Sequence, residues 1–189
     1  MWHVHRDSAY YNESGGGITA SGGEPMLQHT FLQALFKEAK EQRIHTALDT
    51  SGYCSGKAFA AILPLTDYLL LDLKIMDPAL HKRYTGVSNE VIHDNFRYAV
   101  AHGAKVIVRH IVVPGVNDSK KEHEVLAALL LSAGFTGTLE LLPYHALARN
   151  KYKDLGVCYR MGNTLVPDKE RMNNILEYFT SIGIECRIN

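Results

Sequence analysis

The stretch YLLLDLK, residues 68–74, is a nearly continuous apolar run that ends in an acid and a lysine. A strand that is covered on both faces has this composition, and parallel sheets are built from such strands. No apolar run in the sequence approaches the roughly 20 residues of a transmembrane helix. The stretch therefore predicts a central strand in a parallel sheet of an α/β protein.

Further runs of this kind alternate with amphipathic patterns on both sides of it. Strands are predicted at 18–21, 45–50, 105–113, 139–142 and 184–188, and helices at 31–39, 57–63, 90–101 and after the caps Asp118 and Asp168. Phe31 and Val125 are expected on inward helix faces. Strands that alternate with helices imply right-handed crossovers, which fit an open sheet or a partial barrel. The whole chain, 1–189, is predicted to be a single domain.

Charge and cysteine content narrow the classes of partner and compartment. The 189 residues include 20 basic and 20 acidic side chains, so the formal net charge is zero. A broad electrostatic grip on nucleic acid or on an anionic membrane is therefore not expected. The three cysteines, Cys54, Cys158 and Cys186, form no CxxC pair. This pattern fits a reducing compartment, and the cytoplasm is the expected location.

Polar residues follow or interrupt the predicted strands. In parallel α/β folds the carboxyl ends of the strands form one rim, and ligands bind at that rim. Several such groups are a stronger indication of a site than any one of them. The rim residues are Gly22, Gly23, Glu24, Asp49, Thr50, Ser51, Gly52, Asp72, Leu73, Lys74, Arg109, His110, Pro143, Tyr144 and His145.

The segment SGGGITASGGEPMLQ, residues 14–28, indicates the chemistry of one part of this rim. Glycines without side chains allow a ligand to touch backbone carbonyls, although a Gly-Gly pair also serves simply to make a turn. Glu24 follows the glycines directly, and an acid attracts an ammonium group rather than a phosphate. The lysine of a GxxxxGK[ST] phosphate loop is absent. The segment therefore predicts a ligand with a cationic end.

The other rim residues each allow a structural and a functional interpretation. Asp49 and Asp72 are either solvated strand ends or acceptors for ribose hydroxyls or a cation. Arg109 interrupts an apolar strand and needs a partner, which a ligand carboxylate or an internal salt bridge would supply. Lys74 is a solvated end or a carboxylate partner, and His145 is structural or a ligand contact. Together they predict a ligand with an amine, a carboxylate and hydroxyl groups, such as an amino-acid nucleoside.

Five segments, in this order, resemble a known family. They are SGGGITASGGEP, HTALDTSGY, YLLLDLKIMD, RHIVVPGVND and ELLPYHALARNKY, at residues 14–25, 45–53, 68–77, 109–118 and 140–152. The sequence is similar to the radical S-adenosylmethionine activating enzymes of glycyl radical enzymes, and in particular to the pyruvate formate-lyase type. The likeness runs from about Asp7 to the C-terminus.

This resemblance implies a fold, cofactors and partners. The fold would be an incomplete parallel (β/α) barrel of the radical S-adenosylmethionine type. The cofactors would be S-adenosylmethionine and a [4Fe-4S] cluster on a CxxxCxxC loop. A 5′-deoxyadenosyl radical would take a hydrogen atom from a glycine of the partner, pyruvate formate-lyase or a relative. The electron donor would be a protein such as flavodoxin or ferredoxin.

The resemblance also implies roles for the rim residues. Gly22, Gly23 and Glu24 would receive the amino group of the methionyl moiety. The segment 72–74 would lie near the cofactor, with His145 on its nucleoside side and Arg109 as a strand arginine of the site. A monovalent cation would lie in the region formed by Asp49, Thr50, Asp72 and the neighbourhood of Met76.

The sequence departs from the family in one respect, since no CxxxCxxC motif occurs in the 189 residues. The three cysteines are too far apart for such a loop and are expected to be ordinary thiols. We therefore expect the C-terminal part of an activating enzyme, without the family's first strand and cluster loop, inactive alone and with an exposed edge near Ile18. One alternative is a cluster-free binding module of the same fold. Another is an α/β-barrel hydrolase or aldolase with Lys74 as a Schiff-base lysine.

Overall fold

The computed structural model describes residues 4, 6–146, 154, 156, 162 and 164–189. The expectation for Cys158 and part of the segment that follows Tyr144 lie outside the described residues. Contacts between α-carbons divide the chain into two compact units. Unit 1 comprises Met1–Asp72 and Glu90–Ile107, and unit 2 comprises Leu73–Asn89 and Val108–Asn189. The prediction of a single domain stays a prediction.

The described part of the chain contains six strands that pair in chain order in one sheet. The pairs β1–β2, β2–β3 and β5–β6 are parallel, and the predicted parallel α/β class is confirmed. The strands are β1 (Gly17–Ala20), β2 (His45–Thr50), β3 (Tyr68–Asp72), β4 (Val106–Val112), β5 (Thr138–Pro143) and β6 (Cys186–Ile188). The helices are α1 (Ser8–Ser14), α2 (His29–Glu41), α3 (Gly56–Ile62), α4 (Pro78–Thr85), α5 (Glu90–Ala101), α6 (Lys120–Ser132) and α7 (Lys169–Ser181), with 3₁₀ helices at Pro25–Gln28 and Leu63–Leu65.

The core of unit 1 forms where α2 packs against β2, whose neighbour in the sheet is β3. Leu32 and Phe36 of α2 are buried, as are Leu48 of β2 and Leu71 of β3. Burial alternates along β3, and Tyr68 at its start is 44% exposed. This strand is thus less completely covered than its apolar composition predicts. The register pairs Gly17 with His45 across β1 and β2.

In unit 2, apolar side chains of β4, α6, β5 and α7 make up the core. Fully buried examples are Val108, Leu130, Leu139 and Phe179. The predicted cap Asp168 is confirmed, since its side chain accepts from the backbone N–H of Arg171. None of the helices in the described ranges is both long enough and apolar enough to cross a membrane.

Three details of the predicted helices are wrong. Phe31 is 65% exposed and Val125 is 43% exposed, because each lies just off the stripe that α2 or α6 turns inward. The cap of α6 is Ser119, whose hydroxyl accepts from the N–H of Glu122. Asp118 is occupied elsewhere, since it accepts from the N–H of Gly115 and pairs with Arg171.

Two helices, α1 and α4, were not predicted. Helix α4 begins after Asp77, whose side chain caps the N–H of Leu80, and Pro78 occupies its first turn. An acid followed by proline is an ordinary helix start. The pattern was missed because only eight residues follow, with little apolar periodicity.

Candidate functional site

In unit 1, the carboxylate of Glu24 joins the ends of β1 and β2. Its Oε1 accepts from the N–H of Met26 at 3.0 Å and from the hydroxyl of Thr50 at 2.6 Å. Its Oε2 accepts from the N–H of Ser51 at 2.9 Å and from the Ser51 hydroxyl. We call Glu24, Thr50 and Ser51 the Glu24 cluster. A carboxylate has about four acceptor positions, so these donors fill it and fix its orientation.

The two glycines that precede Glu24 border open space. Both are exposed, and a β-carbon added to Gly22 or Gly23 would meet no atom within 4 Å. Gly22 has a φ of 119°, a conformation that side chains with a β-carbon rarely adopt, whereas Gly23 is not restricted in this way. The backbone of Gly23 therefore borders open space, and the methyl group of an alanine at this position would extend into that space.

The predicted cation residues all lie at the ends of β2 and β3. Asp49 is half-buried and accepts from the Ser21 hydroxyl at 2.9 Å. Thr50 is buried, and its hydroxyl oxygen also accepts from the N–H of Gly52 at 3.0 Å. Thr50 pairs with Leu71, which places Asp72 one residue further along β3. The structure brings these three residues to neighbouring strand ends, and a cation there stays a prediction.

Asn95 of α5 holds the loop that follows the Glu24 cluster. It is buried and donates to the carbonyl oxygens of Gly52 at 2.9 Å and Cys54 at 3.0 Å. Gly52 has a φ of 71°, and its bare α-carbon faces Leu71. Burial, with a smaller effect from the charge of Glu24, raises the pKa of the Cys54 thiol to about 11. Cys54 is therefore a protonated thiol at neutral pH.

In unit 2, buried side chains hold the backbone of the segment 73–77, which includes the predicted Leu73 and Lys74. His110 donates from Nδ1 to the carbonyl of Leu73 at 2.6 Å. The remaining contacts come from three further buried residues. Asn117 donates to the carbonyl of Lys74 at 2.6 Å. Asn89 donates to the carbonyls of Ile75 and Met76 at 3.0 and 2.9 Å. Glu122 accepts from the N–H groups of Met76 and Asp77 at 2.7 and 2.9 Å.

We call His110, Asn89, Asn117 and Glu122 the frame of segment 73–77. Of these four residues only His110 belongs to the predicted rim, and the rim did not indicate the frame. A local sequence pattern was present at Glu122, since Ser119 and Glu122 have the S-x-x-E spacing of a capping box. The carboxylate of Glu122 would normally return to the start of its own helix, but here it reaches backbone groups 46 and 45 residues earlier.

A cavity of about 800 Å³ in unit 2 is lined by Lys74, Asn117 and His145. His145 is exposed, and Lys74 is half-buried. Most of the remaining wall is apolar and includes Ile111 and Leu142. The structure thus brings together two predicted rim residues, Lys74 and His145, in one cavity. Arg109 is half-buried in β4, and its carbonyl accepts from the N–H of Leu73 at 3.0 Å.

The buried frame residue His110 makes the stability of the fold depend on pH. Burial lowers the pKa of His110 from its usual 6.5 to about 4, with a smaller contribution from the nearby His123. Between these two pKa values, this histidine is therefore protonated in the unfolded chain and neutral in the folded chain. We expect the free energy of unfolding to fall by up to about 3 kcal/mol from pH 7 to pH 4.

Denaturant melts across this pH range measure the effect, and His110→Gln removes the titrating group. Its unfolding free energy should fall less steeply below pH 6.5 than that of the wild type. The exposed His29→Gln is the matched control and should keep the wild-type slope. Equal slopes for His110→Gln and the wild type would contradict the assignment.

Comparison with known proteins identifies the relatives of this chain. Residues 8–127 match the family model described as the Radical SAM superfamily. The (2S)-3-sulfopropanediol dehydratase activating enzyme of Klebsiella oxytoca is 39% identical over 98% of this chain and 60% of its own length. The isethionate sulfite-lyase activating enzyme of Nitratidesulfovibrio vulgaris is 44% identical over 91% of this chain and 56% of its own length. The chain thus spans less than two thirds of these curated relatives.

A solved structure agrees with the sequence relatives. It is a domain of pyruvate-formate lyase-activating enzyme from Bacteroides vulgatus, with 28% identity and a TM-score of 0.78. The match covers 92% of this chain and 99% of that domain. The resemblance predicted from the five sequence segments is confirmed at the level of the family.

Proposed function

This chain belongs to the radical SAM superfamily, and on that basis we propose that it is part of an oxidoreductase that activates a glycyl radical enzyme. The observation that carries the proposal is the identity of 39% and 44% to two proteins that are both named activating enzymes. The partner would be pyruvate formate-lyase or a relative that acts on another substrate. An electron donor such as flavodoxin or ferredoxin stays a prediction, as does the cytoplasmic location.

We propose that Gly22, Gly23 and Glu24 form an amine seat for S-adenosylmethionine in unit 1. The open space at both glycines fits a ligand that lies against the backbone. The oxygens of Glu24 are filled by protein donors, so its contribution to an ammonium is negative charge at a fixed place. When bound, S-adenosylmethionine supplies the reagent that removes a hydrogen atom from the partner's glycine. A cation at Asp49, Thr50 and Asp72 is part of the proposal.

For unit 2, the proposed ligand contacts are Lys74 and His145, which line the cavity described above. Lys74 would provide positive charge for an anionic group, and His145 would provide an imidazole that donates or accepts a hydrogen bond. Leu73 and Arg109 are proposed as neighbours of the cofactor on the resemblance alone. Lys74 as a Schiff-base lysine has no further support.

The described residues do not fit the other expected cofactor, the iron–sulfur cluster. Within the described ranges, no three histidine, cysteine or acidic side chains are grouped to hold a metal ion. Burial raises the pKa of Cys54 to about 11 and that of Cys186 to about 12, so both are protonated thiols at neutral pH when no metal is bound. We therefore propose that the described residues do not hold such a cluster.

The amine seat predicts that binding depends on the amino-acid part of the ligand. Titration of the chain, observed by NMR, should show weak binding of S-adenosylmethionine, with a Kd of about 1 mM or higher. Methylthioadenosine, which lacks the amine and the carboxylate, should bind more weakly. Gly23→Ala should abolish this preference without loss of stability, because its methyl group would occupy the open seat.

Gly56→Ala is a suitable control, since its β-carbon also meets nothing closer than 3.8 Å and it lies outside the seat. It should retain the preference for S-adenosylmethionine. Equal binding of the two ligands to the wild type would contradict the amine seat. Submillimolar binding in the absence of iron would instead favour the cluster-free binding module.

A further inference from the structure

The frame of segment 73–77 concentrates buried polar groups on one short stretch of backbone. Where a strand leaves a sheet, its N–H and C=O groups lose their strand partners and are usually satisfied by water or by turns. Here each frame residue is at least nine-tenths buried, and each contacts the backbone of this segment. Burying polar side chains is costly unless they are hydrogen-bonded, so the frame is a specific arrangement.

Asn117 occupies the central position of this frame. Both hydrogens of its amide are used, one on the carbonyl of Lys74 and one on the carbonyl of Ile111, each at 2.6 Å. Its Oδ1 accepts from the N–H of Val113 at 2.7 Å. One side chain thereby ties the segment that carries Lys74 to the end of β4. Asn117 also lines the cavity that contains Lys74 and His145.

Glu122 provides a second, independent hold on the same segment. Each of its two oxygens accepts from a different backbone N–H, that of Met76 or that of Asp77. Hydrogen bonds to a carboxylate are stronger than those between neutral groups. The backbone immediately after Lys74 is therefore held from α6, while the carbonyl of Lys74 itself is held by Asn117.

We propose that Asn117 and Glu122 are positioning residues for Lys74. A lysine side chain has large rotamer freedom, so its binding to an anionic group costs conformational entropy. The total cost is smaller when the backbone that carries the lysine is already fixed. The frame supplies that fixed backbone and keeps Lys74 at the wall of the cavity. The part of this proposal that concerns a ligand rests on the proposed function above, whereas the positioning of Lys74 does not.

The amine of Lys74 reports its own position by NMR. Lysines are reductively methylated with ¹³C-formaldehyde, and the Lys74 resonance is identified by its loss in Lys74→Arg. Asn117→Ser should move the Lys74 resonance. The resonance of Lys105, which lies 5.2 Å from the ring centre of Tyr68 in unit 1, should stay in place. Asn173→Ser, at an exposed position of α7, is the matched control and should leave both resonances unchanged.

Titration with S-adenosylmethionine then tests the ligand part. In the wild type the Lys74 resonance should respond, and in Asn117→Ser the midpoint concentration should rise by roughly tenfold. If the wild-type resonance does not respond, the proposed ligand role of Lys74 fails, while the ligand-free spectra still decide whether Asn117 positions it. A purely structural role for Asn117 would leave the Lys74 resonance of the folded variant superimposed on that of the wild type.

If Asn117→Ser does not fold, Glu122→Gln provides the same test. Its amide nitrogen must oppose the N–H of either Met76 or Asp77, because each carboxylate oxygen faces one of them. We expect a moved Lys74 resonance in this variant as well. A Lys74 resonance that is unchanged in Glu122→Gln and in every folded Asn117 variant would overturn the proposal.

Discussion

Replacing Gly17 with alanine is expected to lower the free energy of unfolding by about 3 kcal/mol or more, a severe effect for one methyl group. The added β-carbon would lie 1.9 Å from the carbonyl oxygen of His45, far inside contact distance. Both atoms belong to paired strands, since Gly17 and His45 are register partners in β1 and β2. No side chain can rotate away to relieve the contact, so the backbone of β1 must move.

Displacement of β1 would loosen the residues that follow it, including Gly22, Gly23 and Glu24. Urea denaturation of Gly17→Ala gives the loss of stability, and amide hydrogen exchange across 17–20 and 45–48 shows whether the β1–β2 ladder has opened. Gly16→Ala is the matched control, because its close neighbour is the hydroxyl of Ser14, which can turn away at the cost of two exposed hydrogen bonds, to Tyr10 and Gly16. A Gly17→Ala chain as stable as the control would show that β1 does not approach β2 this closely.

The sequence predicts the strands of this fold well because their signal is local. The bounds of β2 are those predicted, β3 ends two residues earlier than predicted, and β4 and β5 each differ from prediction by one residue at both ends. Runs of β-branched and apolar residues between glycines and polar residues carry this information within a few positions. Helix α4 lacks such a signal, since its short sequence is mostly polar and only His81 is buried among its residues.

The frame and the Glu24 cluster escape such prediction because they depend on distant partners. Asn89, Asn95 and Asn117 each donate both amide hydrogens to backbone carbonyls, and all of these carbonyls except that of Ile111 lie in loops. Asparagine is common in loops and turns, so nothing in the local sequence separates these three from solvated ones. The same holds for Glu24, whose place after two glycines indicated a ligand but gave no indication of its bonds to Thr50 and Ser51.

Glu24 therefore has two separate roles, one in structure and one in the proposed binding of an amine, and Glu24→Gln distinguishes their contributions. Each oxygen of the carboxylate accepts from one backbone N–H, that of Met26 or that of Ser51. Whichever way a glutamine amide is turned, its NH₂ group opposes one of these N–H groups. We expect the free energy of unfolding to fall by about 2 kcal/mol, the cost of an unsatisfied donor where a charged acceptor stood.

The same substitution removes the negative charge of the amine seat, so the preference for S-adenosylmethionine over methylthioadenosine should disappear. Glu41→Gln, at the exposed end of α2, removes a charge without breaking such bonds and should change stability by no more than about 0.5 kcal/mol. If the ligand preference is lost while the stability is unchanged, the negative charge of Glu24 contributes to amine binding. Water would then replace the hydrogen bonds that the carboxylate makes in the Glu24 cluster. Loss of stability with an intact preference would leave Glu24 a structural residue, and the amine would then be held by the glycine backbone alone.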